Sequence, residues 1–555
     1  MKRNNSMTDK GRFRAWTARL MVGLSLMGGA GLLGGCIEND MPYPYIKLFI
    51  SGVEVDGQLG NAQIDNDNRT ATVTVDETVN LKKVHVKRVT VTDGGRSSIP
   101  DDTFIDLTKP QPVTLSLYQD YYWTLVANQT IERLFRVENQ VGTASFDPEQ
   151  RIASVNVSKN QSLRSLALLE LKLGPEGSTL DGVRGLPTLS WELFSNYAKS
   201  KVKLNFRDFI VDEEWTLYVF QVESNVSTTA ADGWVNVAWL YGQGMEGADC
   251  GFEIKEEGLS EWSRVDSRYV TQQGGSFHAR VPHLKAETNY RCRAYSGDEY
   301  GEEISFTTGR AIPLPGGGFE EWHQEGKVWN PWAEGATPVW DSGNDGATTL
   351  GESITVPTSD VWSGAQPGST AAKLGSKFVG IGSIGKFAAG NLFMGEYVRT
   401  DGTNGVLAFG RPFTARPTRL RGYFKYTTAP VNCMPSKSNT EDYNRFLPMK
   451  NQPDTCAIYI ALGDWDTPVE IRTNPKDRKL FDHSDPHLIA YAEYNSGSTI
   501  SQYTLLDLEL EYRSTSRVPK YILVVGSASK YGDYFVGGEG ATLWMDDFSL
   551  EYDDK

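Results

Sequence analysis

A chain of 555 residues is longer than one hydrophobic core organises, so it divides into several domains. Its 39% hydrophobic and 11% aromatic content excludes global disorder. A formal net charge of −15 excludes a general nucleic-acid binder, which needs clustered Lys and Arg against phosphate.

The first 36 residues read as a targeting segment. Lys2, Arg3, Lys10, Arg12, Arg14 and Arg19 precede an apolar run from Leu20 to Leu33, shorter than the roughly 20 residues a spanning helix needs and flanked as a secretory signal is. The run ends Leu33-Gly34-Gly35-Cys36, which resembles a bacterial lipobox: small residues suit the signal peptidase, and the Cys36 thiol takes the lipid. Residues 1–36 are then a lipoprotein signal peptide and 37–44 a tether, and a lipid anchor holds the protein on a membrane without crossing it. Ile37-Glu38-Asn39-Asp40 is similar to the acidic start of surface-exposed lipoproteins of Bacteroidetes, which implies an outer-membrane lipoprotein displayed at the cell surface. A merely solvated tether explains it equally well.

From about Tyr45 the chain alternates apolar and polar residues between Gly, Asn and Asp turns, which predicts an all-β protein. Thr70 to Val75 is one such half-buried strand. An internal repeat appears when residue n is set against n + 82: Gly60, Asp65, Arg69, Ala71, Val73 and Val75 face Gly142, Asp147, Arg151, Ala153, Val155 and Val157. After an insertion, Trp123-Thr124-Leu125 recurs as Trp215-Thr216-Leu217. The repeat predicts two Ig-like β-sandwiches at 45–140 and 141–224, acting as spacers or binding through their loops.

Residues 225–312 resemble a fibronectin type III domain, through Val235 to Trp239, Gly251 to Lys255, Leu284 to Tyr295 and Ile304 to Thr308. That resemblance places Cys250 and Cys292 on adjacent strands, either as a disulfide or as two buried thiols. Ala311 to Gly318 is a Pro/Gly hinge.

Residues 313–555 show strand patterns at Arg421 to Tyr426, Ala457 to Leu462, Leu506 to Tyr512 and Tyr521 to Val525, which predicts a C-terminal jelly-roll β-sandwich. Phe319-Glu320-Glu321-Trp322, Asn330-Pro331-Trp332-Ala333, Val339 to Asn344, Ala371 to Ser376, Ala388 to Phe393 and Trp544-Met545-Asp546-Asp547-Phe548 resemble the putative carbohydrate metabolism domain of Bacteroidetes lipoproteins. That resemblance implies a glycan partner. The two ends of the domain are also similar to those of calcium-bearing jelly-roll carbohydrate-binding modules. Period-two parity puts Trp544, Asp546 and Phe548 on one face, expected to be the core face. An inward Asp546 needs a partner, and structural calcium held by Glu320 and Asp546 is one candidate, with strand-end capping the other.

Tryptophan rings match the CH face of a pyranose. Trp329 and Trp332, flanking Asn330-Pro331, and Asp464-Trp465-Asp466 are the candidate glycan-binding residues; these rings serve a core equally well. Glycoside hydrolysis needs two carboxyls across the scissile bond, and the sequence singles out no such pair. Asp482-His483-Ser484-Asp485-Pro486-His487 reads as a polar turn, because Pro486 prevents a shared helical face. Cys433 and Cys456 bracket a polar segment that a disulfide would pin. The expectation is a surface-anchored lipoprotein presenting a non-catalytic glycan-binding head on a β-sandwich stalk. The alternatives are a glycoside hydrolase acting through carboxylates of the head, or a structural or adhesive surface protein.

Overall fold

The computed structural model describes residues 48–552 apart from 67, 365–367, 382 and 383; Cys36 and its lipobox lie outside the described residues. The chain is all-β, as the alternating pattern predicts.

In the first sandwich, strand Thr70–Val75 runs parallel to Asp120–Gln129, with Ala71 opposite Leu125. In the second, Ile152–Val157 runs parallel to Ile210–Gln221 in the same register, Ala153 opposite Leu217. The repeat extends to local detail. Arg69 and Arg151 both take left-handed backbone, at φ 51° and 56°, and their carbonyls accept from Thr124 and Thr216, each at 2.9 Å. Trp123 and Trp215 are both buried. Strand Leu134–Val137 pairs with Leu168–Lys172, so it belongs to the second sandwich, ahead of the boundary expected at 140.

The third unit packs a four-stranded sheet on a five-stranded one. The Tyr290 hydroxyl accepts from the Lys285 amide at 3.0 Å, pinning the loop that enters the strand, as tyrosine corners do in such sandwiches. This unit is joined to the head by Trp234, whose Nε1 donates to the Thr515 carbonyl at 2.9 Å and whose ring lies 4.3 Å from that of Tyr512.

The head is a sandwich of a nine-stranded and a five-stranded sheet. The central path of the larger sheet runs Asn404–Phe409, Asn391–Asp401, Tyr521–Ser527, Cys456–Gly463 and Leu488–Ser496, all antiparallel. Leu392, Met394, Ile458, Ile460, Leu462, Ile522 and Val524 face the smaller sheet and meet Leu374, Phe424, Leu543 and Met545 in the main core.

The last strand corrects the parity expectation. Tyr423 pairs with Asp546 but Arg421 with Ser549, so a bulge falls at Asp547, whose φ is 49°. Leu543, Met545 and Phe548 face the core, and Asp546 lies on the opposite face. It is buried there, beside Trp362, whose amide donates to it and whose ring stacks at 3.5 Å on Tyr423, the residue paired with Asp546.

The considered disulfides are absent: Cys250, Cys292, Cys433 and Cys456 are free thiols. Cys250 stands opposite Ser296 and Cys292 opposite Ile254, an offset along adjacent strands that a disulfide does not span. Cys433 pairs with Gly537 and Cys456 with Ser496, so neither faces the other.

Candidate functional site

The central strands of the larger sheet are apolar on both faces, so the face away from the main core needs its own cover. Phe393, Leu407, Phe409, Ala461, Leu523 and Val525 form a second apolar cluster there. Leu480 and Phe481 pack over part of it. Beyond them the face opens into a cavity of about 970 Å³.

Period-two alternation sets its floor. Ala490 and Ala492 point to the main core, and between and after them Tyr491 and Glu493 point into the cavity; Tyr459 does the same between Ile458 and Ile460. The walls are hairpin Lys377–Ile381 with Ile384–Ala388, helix Thr440–Phe446, the 473–484 segment and the 530–535 turn. Asp65 and Asn68 of the first sandwich also line it.

Its polar groups are crowded into poor solvent. Burial pushes Asp533 up to about 6, against the pull of Arg478. Burial also pushes the Tyr459 hydroxyl well up, with Asp533, Tyr491 and Glu493, which line the same cavity, adding to the effect. Glu493 accepts from Lys530 at 3.0 Å. His483 is held below the usual imidazole range by burial. Arg478 donates through Nη1 to Asp442 at 2.7 Å, while its Nε and Nη2 and the Tyr491 hydroxyl are buried without a hydrogen-bond partner. Three unspent donors among aromatic faces suit a ring that offers many oxygen acceptors and apolar CH faces.

The expected glycan residues lie elsewhere; none of Trp329, Trp332, Asp464, Trp465 and Asp466 lines this cavity. Trp329 sits in strand Val328–Asn330, its amide donating to Ser353 at 2.9 Å and its carbonyl accepting from Asn344 at 2.7 Å. Trp332 packs edge-on against His323 at 5.5 Å. Trp465 is 7% exposed and donates to Asp485 at 2.9 Å, so its ring belongs to the second apolar cluster and offers no open face. Its flanking acids are spent in ion pairs, Asp464 with Arg517 at 2.6 Å and Asp466 with Lys520 at 2.7 Å.

Glu320 and Asp546 do share one corner: beyond burial, the charges of Asp547 and Glu320 raise Asp546, and that of Glu320 raises Asp547. Glu320 Oε2 accepts from the Ser369 amide, its hydroxyl and the Thr370 amide at 2.9–3.1 Å. Asp546 Oδ2 accepts from Trp362 at 2.7 Å, and Oδ1 is buried without a donor. These are hard oxygen donors of the kind calcium takes, and the orphaned Oδ1 is the feature a cation fits. Among the described residues no three His, Cys, Asp or Glu side chains gather closely enough to hold a metal by themselves, so backbone oxygens or water would complete such a shell.

The cavity's own residues left one trace in the sequence. Leu488 to Tyr494 reads Leu-Ile-Ala-Tyr-Ala-Glu-Tyr, a central-strand pattern in which a phenol and an acid occupy one face. That face has to be a site or an ion-paired surface.

The chain is thus a multi-sandwich protein whose terminal jelly roll opens a polar, aromatic cavity over its larger sheet. Residues 318–551 match the family model described as "Putative carbohydrate metabolism domain", which bears out the resemblance of the head. No curated protein matches the chain. Among solved structures, it is similar to a putative glycoside hydrolase from Bacteroides thetaiotaomicron, at 15% identity and TM-score 0.30, over 92% of this chain and 99% of that one. A putative glycoside hydrolase from Bacteroides vulgatus is similar at 21% identity and TM-score 0.31, over 42% of this chain and 94% of that one. A surface glycan-binding protein from Prevotella bryantii is similar at 8% identity and TM-score 0.14, over 64% and 93%.

Proposed function

We propose that the chain is a lipid-anchored surface protein whose head binds a glycan, without cleaving it, in the cavity over the larger sheet. The observation that carries this is the set of buried donors without partners, Arg478 Nε and Nη2 and the Tyr491 hydroxyl, lining one aromatic cavity. An unsatisfied buried donor costs about 1–3 kcal/mol, a cost that sugar oxygens would remove. The carbohydrate-related family of the head supports the same reading. Anchoring rests on Leu33-Gly34-Gly35-Cys36, and a structural calcium at the Glu320–Asp546 corner belongs to the same proposal. The test is a glycan array followed by calorimetry: Tyr491→Phe keeps the ring and removes one donor, so affinity for any hit falls roughly three- to tenfold. Unchanged affinity would move the site elsewhere.

A second reading, hydrolysis, is favoured by Asp533. A carboxyl titrating at about 6 retains a protonated fraction near neutrality, as a general acid requires, and Glu493 lies in the same cavity. Product analysis of array hits decides between the two: cleavage abolished by Asp533→Asn, with binding kept, establishes the enzyme.

A further inference from the structure

Two residues lining the cavity, Asp65 and Asn68, come from a turn of the first sandwich. The internal repeat supplies a matched turn, Asp147 and Gln150 at n + 82, and neither of these lines the cavity. In both turns the later residue's amide donates to the aspartate Oδ1, at 3.0 and 2.9 Å, so that bond serves the sandwich. Two features are confined to the first copy. Asn68 Nδ2 also donates to Asp65 Oδ2 at 2.8 Å, which fixes the Asn68 side chain. The neighbouring arginines differ as well. Arg151 meets Glu213 of its own sandwich at 3.5 Å. Tyr121, which carries no charge to match it, stands at the corresponding position of the first copy, and Arg69 ion-pairs with Glu441 of the head instead.

That pair lies close to the cavity's unspent donors. Glu441 takes Arg69, and the next residue, Asp442, accepts from Arg478 at 2.7 Å. The first sandwich is also held from behind, because the junctions along the stalk are bonded. Glu77 accepts from the Glu176 amide at 2.7 Å, and the Gly142 amide donates to the Gly244 carbonyl at 2.9 Å. With one Nδ2 hydrogen given to Asp65, Asn68 keeps its Oδ1 and the second hydrogen for another partner. An acceptor and a donor side by side match adjacent sugar hydroxyls. At about 970 Å³ the cavity stands near the top of the roughly 300–1,000 Å³ that small-molecule sites occupy, room for more than one sugar ring.

We propose that the first sandwich supplies part of the glycan site: Arg478 and Tyr491 seat one sugar and Asn68 hydrogen-bonds the next, so the protein selects an oligosaccharide over its component monosaccharide. This inference rests on the cavity being the glycan site and adds a second binding element and a minimum ligand length.

The test probes the full chain with a glycan array in which every oligosaccharide is accompanied by its component monosaccharides, and hits are titrated by calorimetry. The expected result is an oligosaccharide at least tenfold tighter than its monosaccharide. Asn68→Ala should weaken the oligosaccharide roughly three- to tenfold, the loss of one hydrogen bond, and leave the monosaccharide unchanged. Gln150→Ala makes the same cut in the matched turn and should change neither. The backbone bond of residue 68 to Asp65 survives the substitution, so the variant should keep its fold, which a thermal melt verifies. Oligosaccharide and monosaccharide binding alike, or an Asn68→Ala variant that weakens both equally or neither, would overturn the inference while leaving the glycan site standing. Silence across the whole array would overturn both.

Discussion

A carboxylate 1% exposed with one oxygen lacking a donor is unfavourable in its charged form. Burial raises Asp546 from 3.8 to about 6, against the Trp362 amide and with help from Asp547 and Glu320. The native state therefore holds this proton more tightly than the unfolded chain does. Stability from this group is greatest below the unfolded value and is lost as pH rises to about 6, by about 3 kcal/mol on the linkage relation. A cation on Oδ1 would cancel that loss. Thermal melts at pH 7 should show the wild type gaining stability when calcium replaces EDTA, whereas Asp546→Asn is more stable than wild type in EDTA and indifferent to calcium. A wild type unmoved by calcium would remove the ion from this corner.

At the scale of elements, the same corner depends on how closely two backbones approach. A Cβ at Gly317 would sit 2.1 Å from the Phe548 carbonyl oxygen, whereas one at Gly318 would meet nothing nearer than 3.8 Å. Since a backbone oxygen cannot step aside, Gly317→Ala should cost about 2 kcal/mol or more in urea unfolding and Gly318→Ala far less. Equal costs would mean that the opening segment does not dock on the bulge. The thiols give a second check. Cys292 and Cys456 are each pushed up to about 12 and Cys433 to about 11 by burial, so a thiol reagent at neutral pH should label them only after denaturation, and reductant should leave the melting temperature unchanged.

These elements also show what the sequence could carry. Strand identity, the repeat and the jelly-roll head follow from period-two patterning and a fixed offset, which are local properties. The face of Asp546 does not, because one bulge residue reverses parity and nothing in Met545-Asp546-Asp547-Phe548 marks it. The cavity was hidden for a related reason. Its lining comes from segments between 343 and 535 together with Asp65 and Asn68, and only folding brings them together. Trp465 drew the eye as a ring between two acids, yet Asp485, Arg517 and Lys520 use up all three groups.

At the scale of the whole molecule, the upstream sandwiches do more than act as spacers for the head. Lys172 meets Glu77 at 2.9 Å between the first and second, and Arg136 meets Glu246 at 2.7 Å between the second and third. Arg69, on the turn that brings Asp65 and Asn68 to the cavity, ion-pairs with Glu441 of helix Thr440–Phe446. An exposed pair of this kind contributes no more than about 1 kcal/mol, so it would hold the rim closed only weakly and let a ligand enter. Reversing its sign converts that attraction into repulsion. Arg69→Glu should therefore leave thermal stability near wild type, enlarge the radius of gyration in small-angle scattering and speed ligand dissociation severalfold. If scattering and off-rate both match wild type, the first sandwich takes no part in retaining the ligand, and its role reduces to the spacer that the repeat suggests.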